Sequence, residues 1–273
     1  MINIIAKERR DLYSYNVGVV KKYGSGTYKI MELKTLRNKG VEDNREYSPK
    51  GSVHDSKLDC NVRRAKSKIQ EYVMCNDWDM FVTLTLDKRK YDRYNLSKFH
   101  KDLTQFIRIQ NRKTDNDIKY LFIPEEHQDG AWHIHGFIKG LDKTELRLFT
   151  LDEKLPLYIR EKLVKGQEVY QWIKYYEKFG FCDLEPIRDK KRASSYVRKY
   201  ITKELAQCVK ETNAHMYYCS RGLKTAEIIQ KGTVSAKYNP SYTDEHVSVQ
   251  WLDDVDDQEA LSYIQDKNIT IRE

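Results

Sequence analysis

The sequence predicts an α+β fold: a ferredoxin-like split β-α-β antiparallel sheet with helices packed on it. Three observations carry this expectation. Apolar, β-branched and aromatic runs at 81–86, 119–124, 132–138 and 181–187 read as strands. Helical spacing fills the interval after the first run and the interval before the fourth. The second and third runs are joined by a Gln128-Asp129-Gly130 hairpin signal, too short for the crossover a parallel pair needs, which excludes a doubly wound parallel sheet.

Residues 1–55 carry turn clusters at Tyr23-Gly24-Ser25-Gly26 and Tyr47-Ser48-Pro49-Lys50-Gly51-Ser52, and read as an N-terminal extension, β-like at first and partly mobile. Val62, Ala65, Ile69, Tyr72 and Val73 then recur at helical spacing with Arg63, Arg64, Lys66 and Lys68 on the other face. In the strand at 81–86, alternation sends Leu84 to the core and leaves Thr83 and Thr85 opposite. Asn95 caps a second amphipathic helix through Leu96, Phe99, Leu103, Phe106 and Ile107. The stretch 142–180, rich in helix formers and broken near Pro156 and Gly166, reads as short helices inserted before the strand at 181–187. Lys190 to Cys208 has helical spacing throughout. These elements delimit a catalytic domain at 56–230, and 231–273 reads as a C-terminal appendage with an acidic tail around Asp253 to Glu259.

A chain of 273 residues with 40% hydrophobic content can bury a real core. Its apolar runs are too short to span a bilayer and residues near Met1 lack a long apolar region, so the expected location is cytoplasmic. The five cysteines are scattered without a Cys-x-x-Cys pair, which favours reduced thiols over disulfides or a zinc ribbon. No Gly-x-x-x-x-Gly-Lys-Ser/Thr loop is present, which excludes an ATPase of that class. A net charge of +8 together with 20 tyrosines suits a polyanion with unpaired bases.

Two constellations carry chemistry. His133 and His135 alternate onto one face of their strand, with Trp132 and Ile134 on the other, and the partner strand brings a carboxylate, Glu125 or Glu126. Two imidazoles and a carboxylate make a divalent-metal donor set. At about 100° per residue, Tyr196, Tyr200 and Lys203 share roughly 60° of one helix face. A phenol, with a pKa of about 10, attacks poorly unless assisted. A metal bound to a phosphodiester makes phosphorus more electrophilic, and Lys203 is placed to stabilise phenolate or transition-state charge. The expected product is a 5′-phosphotyrosine and a free 3′-hydroxyl, a nick that is rejoined without ATP. Lys199, farther round the helix, is expected to meet a backbone phosphate, while Asp87 and Asp129 read as turn residues.

His133-Ile134-His135 resembles the His-hydrophobe-His motif of the HUH endonucleases, and Tyr196-Val197-Arg198-Lys199-Tyr200-Ile201-Thr202-Lys203 resembles the paired-tyrosine motif of their rolling-circle replication initiators, the Rep proteins of phages and plasmids. Phe81 to Leu86 is similar to the first motif of that family, and Ser220-Arg221-Gly222-Leu223 to a segment that follows the tyrosines. The resemblance spans roughly Asn76 to Lys224. It implies a Mg²⁺- or Mn²⁺-dependent DNA nicking and joining enzyme acting on single-stranded or hairpin origin DNA, with a host helicase for unwinding. It implies Glu125, five residues before Gly130, as the acidic ligand, with Glu126 as its rival and His127 nearby. One tyrosine would initiate and the other terminate. Thr83, Thr85 and Arg221 are further expected DNA contacts. A single-strand transposase or a relaxase shares this chemistry, although relaxases usually place the tyrosine before the histidines. Outside it stand a non-catalytic single-strand-binding module and an Fe(II) oxygenase, which has no use for the tyrosines.

Overall fold

The computed structural model describes residues 13–24, 26–37, 55–114, 117–202, 204–206, 208 and 215–265. The chain divides into two compact units, 53–224 and a discontinuous unit of 1–52 with 225–273.

The 53–224 unit is built on an antiparallel sheet. Its strands are β3 (Met80–Thr85), β4 (Lys119–Glu126), β5 (Trp132–Lys139), β6 (Leu146–Leu148), β7 (Tyr170–Trp172), β8 (Cys182–Pro186) and β9 (Tyr218–Cys219), in the order β6-β7-β8-β3-β5-β4-β9. The central four, β8-β3-β5-β4, form the expected split β-α-β pattern, with the helix between β3 and β4 carrying the chain across. That helix, α2 (Leu96–Thr114), starts where Asn95 Oδ1 accepts from Lys98 N at 2.9 Å, and buries Leu96, Phe99, Leu103, Phe106 and Ile107. An earlier helix, α1 (Asp55–Cys75), buries Val62, Ala65, Ile69 and Val73. Both stripes join Val82, Leu84, Trp132 and Ile134 in one apolar core. The β4–β5 turn closes with Gly130 at φ 78°, a backbone conformation that glycine enters freely, and with Gly130 N donating to His127 O at 2.8 Å.

The insert differs from the expectation of helices alone. Besides α3 (Leu157–Val164) and α4 (Ile173–Lys178), it contributes β6 and β7, which extend the sheet beyond β8. Trp172 explains the extension. Its ring is fully buried and its Nε1 donates to the buried Glu145 at 3.0 Å.

The expected helix over 190–208 also differs. The helix α5 (Lys190–Arg198), which lies beside α1, ends early and tightens into i→i+3 bonds, Tyr200 N to Val197 O and Ile201 N to Arg198 O. Thr202 supplies the reason. Its Oγ1 accepts from Leu205 N at 3.1 Å, the bond of an N-cap, so a new helical turn begins there.

The second unit corrects the reading of 1–55 and 231–273 as a separate extension and appendage. β1 (Tyr13–Lys22) pairs with β2 (Tyr28–Arg37) and with β10 (Glu227–Val234), while β2 pairs with β12 (Val247–Leu252). With β11 (Tyr242–Thr243) and β13 (Ile264–Gln265) they form one six-stranded sheet over a core of Val20, Tyr28, Ile30, Leu252, Ala260 and Ile264. A lone hairpin buries too little to stand in water, which is why the two ends of the chain share a sheet. Part of the acidic tail forms the short helix α6 (Asp257–Leu261), where Asp257 accepts from Lys22 Nζ at 2.9 Å and Tyr28 OH at 2.6 Å. The expected mobile segment around 47–52 lies outside the described residues.

Gly136 on β5 sits where strands meet most closely: a Cβ there would lie 2.0 Å from Leu121 O. Gly136→Ala is expected to cost about 3 kcal/mol and to lower the thermal midpoint by roughly 6–12 °C, read by calorimetry against wild type.

Candidate active site

Register builds the site. Thr83 lies opposite His135 and Thr85 opposite His133 across β3 and β5, and Glu125 of β4 lies opposite His133. All five side chains therefore share one face. Thr83 Oγ1 is 3.4 Å from His135 Nδ1 and Thr85 Oγ1 is 3.1 Å from His133 Nδ1. Each threonine occupies Nδ1 and leaves Nε2 as the outward atom of its ring. His135 Nε2 meets Glu125 Oε2 at 2.7 Å. His127 stacks on His133 with ring centroids 3.7 Å apart, and its Nε2 is 3.7 Å from the same Glu125 oxygen.

The electrostatics follow from burial. Burial first, and then the neighbouring His127 and His135, push the His133 pKa down to about 4, so its ring is neutral at pH 7, the form that ligates a metal. The bond from His135 holds Glu125 below the usual carboxylate range. Among the described residues, no three His, Cys, Asp or Glu side chains stand as a ready-made cation cage. The donor types fit a divalent ion all the same, since Glu125 and His135 spend on each other the atoms such an ion takes. Glu126 lies opposite Trp132, away from this face, and accepts from Cys208 Sγ at 3.1 Å.

The tyrosines come to the same place despite the early end of α5. Tyr200 stacks on His135 with centroids 4.0 Å apart and planes 3° from parallel, and its hydroxyl donates to Tyr196 Oη at 3.0 Å. Burial, then that hydrogen bond, raises the Tyr200 pKa above its ordinary value. Tyr196 packs edge-on against Phe81 at 5.4 Å. Lys199, expected at a phosphate, instead sits over both rings, its Nζ 3.8 Å from the Tyr196 centroid and 4.7 Å from that of Tyr200. The turn after Arg198 brings it there. Lys203 lies outside the described residues.

The face opens into a cleft of about 640 Å³, whose walls include Phe81, His133, His135, Asp183 and Tyr196. Asp183 is a group the sequence reading missed. It is 1% exposed, lies opposite Thr83, and accepts from Tyr158 OH at 2.7 Å, while burial raises its pKa. Its signal was present: Cys182 and Leu184 alternate inward on β8, which leaves Asp183 and Glu185 on the Thr83 face. Arg188 and Arg192 stand at the same cleft. Arg221 does not. It is exposed, and its neighbour Ser220 bonds Tyr120 O, about 16 Å down β4 from Glu125 at ~3.3 Å per residue.

Residues 79–205 match the sequence model of a family described as replication-associated protein, of the ORF2 type. That span is similar to replication-associated proteins, and it contains every residue of the cleft named above. No curated protein and no solved structure matches the chain. The similarity points to a DNA partner. Among the described residues, no helix is long and apolar enough to cross a membrane.

His133 makes stability depend on pH. Its folded pKa of about 4 lies below the unfolded value of about 6.5, so the unfolded chain binds the extra proton. The contribution is complete above about pH 6.5 and is lost as pH falls toward 4. His100, also pushed down to about 4 by burial, acts in the same direction. With chelator present, the urea midpoint is expected to fall between about pH 7.5 and about pH 5, and to fall less in His133→Asn. An unchanged pH dependence in the variant would remove the assignment of a neutral buried His133.

Proposed function

We propose that this chain is a rolling-circle DNA replication initiator of the HUH, paired-tyrosine type: a metal-dependent endonuclease and strand transferase for single-stranded or hairpin origin DNA. The observation that carries the reading is the stacking of Tyr200 on His135, with Tyr196 in hydrogen-bond contact, which places two phenols against a His-His-Glu donor set. Similarity of 79–205 to replication-associated proteins supports it. In this reading His133, His135 and Glu125 hold Mg²⁺ or Mn²⁺, which, when bound, withdraws charge from the scissile phosphate and from the leaving 3′-oxygen.

The remaining roles belong to the chain's own side chains. Thr83 and Thr85 fix the orientation of the two imidazoles. A phenol attacks phosphorus, the P–O3′ bond breaks, and the phenolic proton ends on the 3′-oxygen. Lys199 steadies both tyrosine rings from above. Arg188 and Arg192 line the cleft as phosphate partners for the strand. Lys203 keeps its proposed role beside the phenolate. Unwinding falls to a host helicase.

A labelled single-stranded hairpin library incubated with Mn²⁺ and the full chain should yield a covalent adduct that survives denaturation. Chelator, His133→Ala, His135→Ala or Glu125→Ala should each lower its yield by at least ~100-fold, and the Tyr196→Phe/Tyr200→Phe double variant should abolish it. Adduct formation by the double variant, or none by wild type, contradicts the mechanism.

A further inference from the structure

The two tyrosines are placed unequally. Tyr196 is 48% exposed and lines the cleft that holds His133, His135 and Asp183, whereas Tyr200 is 8% exposed and is absent from its walls. Tyr200 borders a second cleft of about 590 Å³ instead, with Lys199, Thr202, Leu205 and Cys208. Glu125 is in the walls of both. The Tyr200 hydroxyl is committed to Tyr196 Oη at 3.0 Å, and its ring is clamped between His135 on one side and the Lys199 ammonium.

We propose that the tyrosines are used in a fixed order: Tyr196 attacks first, and Tyr200 is held back by its hydrogen bond to Tyr196 until Tyr196 carries the DNA. The proposal rests on the nicking reading above and adds to it the order and the device that sets it. In the first step Tyr196 Oη forms a bond to phosphorus, the P–O3′ bond breaks, and the Tyr196 proton passes to the 3′-oxygen. The hydroxyl of Tyr200 donates toward the attacking oxygen and so favours its negative charge. Once that oxygen is an aryl phosphate ester, its lone pairs are drawn toward phosphorus and it accepts poorly. Tyr200 is then released to attack a second phosphodiester reaching it from the second cleft. Its proton passes to the new 3′-oxygen, and that 3′-hydroxyl displaces Tyr196 from its ester and returns a proton to it. Bonds and protons balance, and no co-reactant is needed.

The chain itself allows the test. Trypsin cuts after Arg192, Arg198, Lys199 and Lys203, so Tyr196 and Tyr200 fall on different peptides, Ala193 to Arg198 and Tyr200 to Lys203. Full-length protein is mixed with the hairpin library and Mn²⁺, quenched within the first turnover, treated with nuclease and trypsin, and analysed by mass spectrometry. At least ~10-fold more nucleotide is expected on Ala193 to Arg198 than on Tyr200 to Lys203, with the ratio falling at later times. Tyr196→Phe should lose first-turnover adduct by at least ~10-fold, and Tyr200→Phe should place its adduct on Ala193 to Arg198 but lose the second transfer. First-turnover adduct mainly on Tyr200 to Lys203, or on both peptides equally, overturns the order while leaving the nicking reading intact. No adduct on either peptide overturns the nicking reading and the order with it.

Discussion

The register between β3, β4 and β5 is the constraint on which the site depends. It sets Thr83 against His135, Thr85 against His133 and Glu125 against His133, and so collects donors from three strands on one face. A slip of one residue in β5 would turn both histidines into the apolar layer and bring Trp132 and Ile134 to the cleft. The buried sides of these strands prevent it. Val82, Leu84 and Ile134 are no more than 1% exposed, and moving them to the wet face would forfeit about 1.5–3 kcal/mol each. Gly136 tightens the same register, because only a residue without a Cβ passes Leu121 O there.

From that geometry the electrostatics follow. Burial keeps His133 neutral and the hydrogen bond to His135 keeps Glu125 ionised, so imidazole lone pairs and a negative charge face the same space. The stacked Tyr200 closes one side of that space, and Asp183 with its Tyr158 partner borders another. Threonine hydroxyls hold the rings from behind, a role more specific than the DNA contact expected of Thr83 and Thr85.

Much of this was legible in the sequence because it is local or periodic. The period of two in 132–138 places the histidines, and the Gly130 turn fixes which strand faces them. Glu125 rather than Glu126 follows from that alternation once the register is known. Other parts were hidden for physical reasons. Helical spacing persists through 199–208, so periodicity alone does not show that Thr202 caps a new turn three residues before Leu205. The pairing of β1 with β10 joins residues some two hundred positions apart, and no local pattern records it. Asp183 lay in plain view as a carboxylate in a strand, but its meaning depends on Thr83 being its neighbour.

The most direct test of the account is Mn²⁺ binding to the full chain without DNA, followed by electron paramagnetic resonance, in wild type, Glu125→Gln and Glu126→Gln. Saturation at about one ion per chain is predicted, weakened at least ~10-fold in Glu125→Gln and within about threefold of wild type in Glu126→Gln. Equal binding by wild type and Glu125→Gln, or a loss confined to Glu126→Gln, would contradict a site built on the face that β3, β4 and β5 share.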